Sequence, residues 1–193
     1  MIPGTIRAEP FQGLYVIKSN VVEDIRGCTQ VIFEEDLASN RNPEEIRNFQ
    51  VKRVLSVNNR KNVVRGIHFA KPDLVESKIV NCTSGIIHDV VVDLRPNSKT
   101  YRQNFSISLS EFDGISIFIP PGIGHAYKSK KDASVIHYLI NTSFVSDQQN
   151  VISPLDPDLN IDWGTSVNIL IDRDREGMTI NEAEERGLLE TPG

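Results

Sequence analysis

Cysteine is scarce in this 193-residue chain: Cys28 and Cys82 are the only two, and no C-x-x-C spacing exists. That excludes a disulfide-stapled scaffold, and both thiols are expected to be buried and reduced, as in an intracellular protein. Long apolar runs are missing too. None approaches the ~18 residues of a membrane span, and the opening stretch MIPGTIRAEPFQG lacks the charged-then-apolar pattern of a secretory signal. Charge of one sign does not dominate: 21 basic and 26 acidic residues are mixed along the chain for a net charge of −5. No nucleic-acid partner held by bulk electrostatics is expected, although a local basic pocket for a small anion is compatible with this balance. Internal repeats, low-complexity tracts and Pro/Ser linkers are absent as well. The expectation is a soluble, cytoplasmic, single domain, long enough to bury roughly 70% of its unfolded surface without a staple. It divides into an N-terminal arm with strands over 1–50, a barrel core over 51–171 and a helical tail over 172–193.

What the chain has is strand pattern. GLYVIKS and TQVIFEE are extended candidates, followed by RNPEEIRNF, where Asn42 is placed to cap a short helix with Pro43 at its first position. From Val51 onward come VKRVLSVN, NVVRGIHF, ESKIVNCTS, GIIHDVVVDLR, NFSISLS, SIFIPP, SVIHYLINTSF and VNILI, each bounded by Gly, Pro, Asn or Ser. In IIHDVVVDL the two-residue repeat puts Asp89, Val91 and Asp93 on one face and His88, Val90 and Val92 on the other. Roughly eight short strands, with no helix long enough to cross a parallel sheet, predict an all-β sandwich or barrel with short peripheral helices. Near the end, Thr179 and Glu182 have capping-box spacing, and Gly187 is placed to stop the helix that follows.

Only four histidines occur. His88 and His137 sit in apolar strand patterns and read as structural. His68, in Arg65-Gly66-Ile67-His68, and His125, after Pro120-Pro121-Gly122, stand at a strand end and after a turn. The P-x-G-x-x-H spacing at 120–125 resembles a conserved motif of the cupins, small β-barrels with a pocket at one mouth. Metal-dependent cupins also carry an earlier H-x-H, whereas this chain reads His68-Phe69-Ala70. A zinc or non-haem iron site needs at least three convergent ligands, and reaching three here requires His88 or Glu76 to join. No metal and no other cofactor is expected.

Six segments in order carry a more specific resemblance: R-G-I-H at 65–68, S-K-I-V at 77–80, D-V-V-V-D-L-R at 89–95, I-P-P-G-I-G-H-A at 119–126, L-D-P-D-L-N-I-D-W at 155–163 and I-L-I-D-R-D at 169–174. Together they resemble the dTDP-4-dehydrorhamnose 3,5-epimerase family, metal-free cupins that act on nucleotide sugars, and within it the branch serving natural-product deoxysugars. The resemblance implies a jelly-roll fold of cupin type, a homodimer with exchanged N-terminal strands, and epimerisation at carbon 3, carbon 5 or both of a dTDP-4-keto-6-deoxyhexose. Hydrogens beside a ketone are acidic because the carbonyl delocalises the carbanion. Such a reaction needs a base on one face, an acid on the other, and positive charge at the developing oxyanion.

Carried over residue by residue, the resemblance implies His68 as the base, Asp156 as the carboxylate paired with it, Lys78 facing the oxyanion and Tyr138 as the acid. It also places Arg65 and His125 along the sugar and diphosphate pocket and sends Arg26, in an early D-x-R-G, toward the partner's phosphate site. Asp89 is expected to keep Lys78 protonated, Arg53 to add charge for the diphosphate, Glu76 to border the pocket and Phe144 to stack on a nucleobase. Where the family alternates Gln, Asn and Ser before R-G-I-H, this chain has Arg53, Leu55 and Val57. The rival readings are a metal-dependent cupin oxygenase or isomerase built on His68, His125 and a carboxylate, and a sugar-binding cupin without turnover.

Overall fold

The computed structural model describes residues 5–34, 42–164 and 168–189. Two antiparallel sheets form a sandwich. The first runs in the order β1 (Thr5–Ala8), β2 (Tyr15–Lys18), β10 (Ile115–Ile119), β7 (Lys78–Ser84), β12 (Ser134–Ile140), β5 (Arg53–Asn59). The second runs β13 (Gln149–Val151), β6 (Val64–Ala70), β11 (Ile123–Ser129), β8 (Ile86–Asp93), β9 (Asn104–Ser110). A separate hairpin, β3 (Val21–Asp24) with β4 (Gly27–Gln30), pairs with no other named strand among the described residues. The described residues also form three short α-helices: α1 (Glu44–Arg47), α2 (Asp172–Arg175) and α3 (Ile180–Glu185). The all-β expectation is met in this arrangement of sheets. Among the described residues thirteen strands replace the roughly eight read from the pattern, because four-residue strands such as β1, β3 and β4 are too short to show a two-residue repeat.

Both sheets are covered on both faces for part of their area, which explains why β8 reads as a nearly unbroken apolar run. Val91 and Ile87 face inward, packing with Val80, Cys82, Ile117 and Ile136 of the other sheet. Val90 and Val92 face outward under Trp163, Leu159 and the α3 residues Ile180 and Ala183. On the outside of the first sheet, Ile46 and Phe49 of the α1 region cover Ile79, Phe118 and Leu139. Burying a side chain of this kind is worth about 1.5–3 kcal/mol relative to exposure, so the C-terminal helix is part of the core.

Local expectations divide. The Thr179–Glu182 capping box is formed, and Gly187 takes a positive φ of 66° just past the helix. Helix α1 begins one residue later than expected, with Pro43 at the N-cap and no side-chain cap. Of VNILI, Val167 lies outside the described residues, and the remaining four form no strand, Ile169 making a single parallel bridge to Val63. In TQVIFEE the strand ends at Gln30, and Glu35 lies outside the described residues. Cys82 is buried, and burial pushes its thiol up to about 11, but Cys28 is exposed on the β3–β4 hairpin. Strand β1 pairs with β2, and β2 with its own chain's β10, whereas the β3–β4 hairpin pairs with no other named strand among the described residues. Among the described residues no helix is long and apolar enough to cross a membrane.

Candidate active site

Between the two sheets, at one mouth of the sandwich, lies a cavity of about 530 Å³. Its first wall comes from three neighbouring strands whose inward residues fall in rows. Arg53, Ile140 and Lys78 stand side by side in one row, and Leu55, Tyr138 and Val80 in the next. The facing wall is β6 and β11, which contribute Arg65, His68, His125 and Tyr127.

The way β6 delivers two residues to this wall depends on an irregularity. Arg65 and His68 are three apart, so a regular strand would point them to opposite faces. Pairing of β6 with β11 slips between His125 and Tyr127, and the extra residue turns both side chains toward the cavity. Gly66 makes this possible: its φ is +119°, and a Cβ there would stand 2.5 Å from both the His125 carbonyl oxygen and the Ala126 Cβ. The meaning of R-G-I-H is thus a bulge that aims a guanidinium and an imidazole together.

His68 Nε2 lies 2.9 Å from Asp174 Oδ1, and the other carboxylate oxygen accepts from the Gly66 N–H at 3.2 Å. Burial pushes the Asp174 carboxyl up, but the His68 ring, the Gly66 amide and nearby Arg173 outweigh it, leaving the pKa below its ordinary value. An ionised carboxylate only accepts, so Nε2 carries the hydrogen and Nδ1 is the basic nitrogen of the neutral ring. The carboxylate paired with His68 is therefore Asp174, and the expectation for Asp156 is corrected. Asp156 caps the turn at Pro157–Leu159 through the Asp158 N–H at 3.0 Å and accepts from Ile180 N at 2.6 Å, tying that turn to the start of α3.

A second correction concerns Lys78. Its Nζ lies 3.4 Å from Glu76 Oε1, whereas Asp89 Oδ2 meets His125 Nε2 at 2.8 Å in a pair that is almost wholly buried. Glu76, 4% exposed, is a hub: its Oε2 also receives Thr142 Oγ1 at 3.0 Å and Gln149 Nε2 at 3.1 Å, with an Arg53 nitrogen at 3.6 Å. One carboxylate thus holds two cations at the same end of the cavity. The Arg53 guanidinium stands 5.2 Å from the ring centre of Phe144, which is 65% exposed at the rim. Tyr138 stands edge-on to His125 with ring centres 5.7 Å apart. Burial is the largest influence raising its phenol well above the usual range, so it enters any reaction protonated.

The cavity brings together His68, Lys78, Tyr138, Arg65, His125, Arg53, Glu76 and Phe144, with Asp89 behind His125. It does not include Asp156, nor Arg26, which is exposed on the hairpin and bound to Asp24. Among residues given no role from the sequence, Asp174 and Arg173 belong to the I-L-I-D-R-D segment, so the signal was present without an assignment. Tyr127 and Gln149 left no such mark. Among the described residues no group of three or more His, Cys, Asp and Glu side chains is arranged to hold a metal ion.

The depressed Asp174 and Asp93 pKa values fix the sign of an acid effect. A carboxylate whose pKa is lower folded than unfolded adds stability above its unfolded value and loses it as pH falls through the folded one. Denaturant midpoints are expected to fall as pH drops below 3.8, the ordinary value for both groups, with part of that slope removed in D174N.

The family model described as dTDP-4-dehydrorhamnose 3,5-epimerase matches residues 8–182. A dTDP-4-dehydrorhamnose 3,5-epimerase of Streptomyces griseus is 33% identical over 92% of this chain and 88% of its own length. The crystal structure of a 4-keto-6-deoxy sugar epimerase from the novobiocin biosynthetic gene cluster of Streptomyces spheroides superposes with a TM-score of 0.89 at 28% identity, covering 99% of this chain and 96% of that one. A 3'-monoepimerase from Streptomyces bikiniensis, solved in complex with dTDP-quinovose, gives 0.87 at 26% identity over 99% and 93% of the two chains.

Proposed function

The chain belongs to the dTDP-4-dehydrorhamnose 3,5-epimerase family, and from that premise we propose how its pocket inverts carbon 3, carbon 5 or both of a dTDP-linked 4-keto-6-deoxyhexose. His68, oriented by Asp174, removes the hydrogen beside the ketone. Lys78 faces the carbon-4 oxygen and stabilises the enolate, with Glu76 holding the ammonium in place. Tyr138, protonated and on the opposite sheet from His68, returns a proton from the other face. Arg65 and Arg53 take the diphosphate, since a guanidinium fork matches phosphate oxygens better than an ammonium does. The His125–Asp89 pair backs Tyr138 and closes the inner end of the cavity.

The observation that carries this reading is the convergence of the His68–Asp174 pair, Lys78 and Tyr138 on one cavity. A binding pocket has no need of a base and an acid on opposed walls. The hairpin supports a quaternary reading. β3–β4 pairs with no strand of its own chain among the described residues, and Ile25 at its tip is fully exposed beside Arg26. The assembly is a homodimer in which this arm crosses to the other copy and Arg26 reaches its diphosphate site. The enzyme works in the cytoplasm.

The test is isotope exchange. Incubated in deuterated water with dTDP-4-keto-6-deoxyglucose, the protein is expected to place deuterium at carbon 3, carbon 5 or both without added metal or nicotinamide. No deuterium at either carbon, across amino- and methyl-substituted 4-keto sugars as well, overturns the reading.

A further inference from the structure

The inward side chains of β5 differ in kind along the strand. Arg53 and Asn59 stand at its two ends, and between them Leu55 and Val57 line the cavity. Ile140, beside Arg53 on β12, extends the same apolar strip. Leu55 is 40% exposed, so leucine surface stands open next to Tyr138, its partner in register. Neither polar end of β5 can serve a hydroxyl set against the strip. Asn59 is buried and fully engaged: its Nδ2 donates to the carbonyls of Val57 and Ser134, each at 3.2 Å. Its Oδ1 accepts from Arg65 Nε at 3.0 Å and from Tyr127 Oη at 2.9 Å. Arg53 turns away to Glu76 and Phe144.

We propose that this strip selects the substrate class, a dTDP-linked 4-keto sugar deoxygenated at carbon 2 as well as at carbon 6. The inference rests on the epimerase reading above. Successive inward rows of a strand stand two residues apart, about 6.6 Å. Lys78 lies in one row, Tyr138 and Leu55 in the next, and Val57 in the one after. With the carbon-4 oxygen at Lys78 and carbon 3 at Tyr138, carbon 2 falls on the side away from Lys78, against Leu55 and Val57. A hydroxyl there gives up its water and finds no partner, whereas a hydrogen leaves carbon in contact with carbon. The carbon-6 methyl does not account for the strip by itself. One methyl group, about 4 Å across in contact, covers Leu55 or Val57 but not both.

The experiment compares two sugars on one enzyme. Values of kcat/KM for epimerisation in deuterated water are measured with dTDP-4-keto-6-deoxyglucose and with dTDP-4-keto-2,6-dideoxyglucose. Wild type is expected to favour the dideoxy sugar by about 10- to 100-fold, the range an apolar pocket reaches against an added hydroxyl. L55N and V57T put hydrogen-bonding groups into the strip and are expected to cut that ratio by about tenfold. Setting the wild-type ratio against that of the variants removes the two sugars' own difference in acidity. A wild-type ratio near one, or one favouring the hydroxylated sugar, overturns the proposal. So does a preference that survives in both variants while both sugars slow equally, the result expected if the strip reads only the carbon-6 methyl. Should neither variant fold, the wild-type ratio decides. Deuterium uptake from both sugars at equal rates sinks this inference and leaves the epimerase reading standing. No uptake from these two, nor from the amino- and methyl-substituted sugars, sinks both.

Discussion

Asp174→Asn is expected to lower turnover by about 10²–10⁴ while the protein stays folded. The carboxylate does two things for His68: it accepts the ring N–H, which fixes the tautomer, and its charge stabilises the imidazolium formed on proton capture. An amide keeps the shape and loses both functions. It can present its NH₂ group to the ring, making Nε2 the acceptor and moving the hydrogen to the nitrogen meant to act as base. Asp156→Asn is the contrasting variant. Asp156 Oδ2 accepts from the Ile180 N–H at 2.6 Å, at the start of the helix whose Ile180 and Ala183 lie in the outer core. An amide nitrogen facing that N–H sets two donors against each other and costs about 1–3 kcal/mol. The expected results therefore differ in kcat. D174N loses kcat by orders of magnitude beside the stability that its lowered pKa contributes, whereas D156N loses midpoint and keeps kcat per folded molecule. Equal kcat losses in the two would return Asp156 to the site and remove the role given to Asp174.

The confusion between these two carboxylates shows what a linear pattern carries and where it stops. Asp156 precedes a proline that opens a turn, and its side chain caps that turn. That is local chemistry, legible as a cap from Asp156-Pro157 alone. The tie from Asp174 to His68 spans 106 positions and depends on α2, four residues long, docking against β6. No periodicity announces a single helical turn. The same division runs through the rest of the site. In IIHDVVVDL the repeat assigned Val91 to one face and Val90 and Val92 to the other, as they stand, because a two-residue repeat is a local property. Arg65 and His68 share a wall only because of a bulge against β11, and the bulge exists only in the pairing. The partner of Lys78 was sought at Asp89, eleven positions along the chain. It stands at Glu76 on the approach to the same strand, and Asp89 turns instead to His125 on the neighbouring strand. Residue types were readable in order along the chain; which charge meets which was decided by sheet pairing.

Lys78→Met is expected to reduce kcat by about 10²–10³, the scale of one lost oxyanion donor, or roughly 3–4 kcal/mol. Methionine keeps the apolar stem of a side chain that is only 10% exposed, so the fold has little cause to change. It does leave Glu76 with one cation fewer. Oε1 loses its lysine, but Thr142, Gln149 and Arg53 still hold the other oxygen in place, so nucleotide affinity should alter little. The informative measurement is the double variant. His68 and Lys78 act on one transition state, as the C–H bond breaks and charge moves to the carbon-4 oxygen. With Lys78 gone, the enolate is too high in energy for a well-placed base to reach it at a useful rate. With His68 gone, the oxyanion that Lys78 awaits is not formed. Losses in H68N and K78M are therefore expected to be far from additive, the pair together costing little more than the worse single change. Deuterium exchange, followed beside inversion, makes the coupling visible: each single variant should lose abstraction itself. Strict additivity would mean that ammonium and imidazole serve separate events, and the single enolate linking them in this cavity would have to be abandoned.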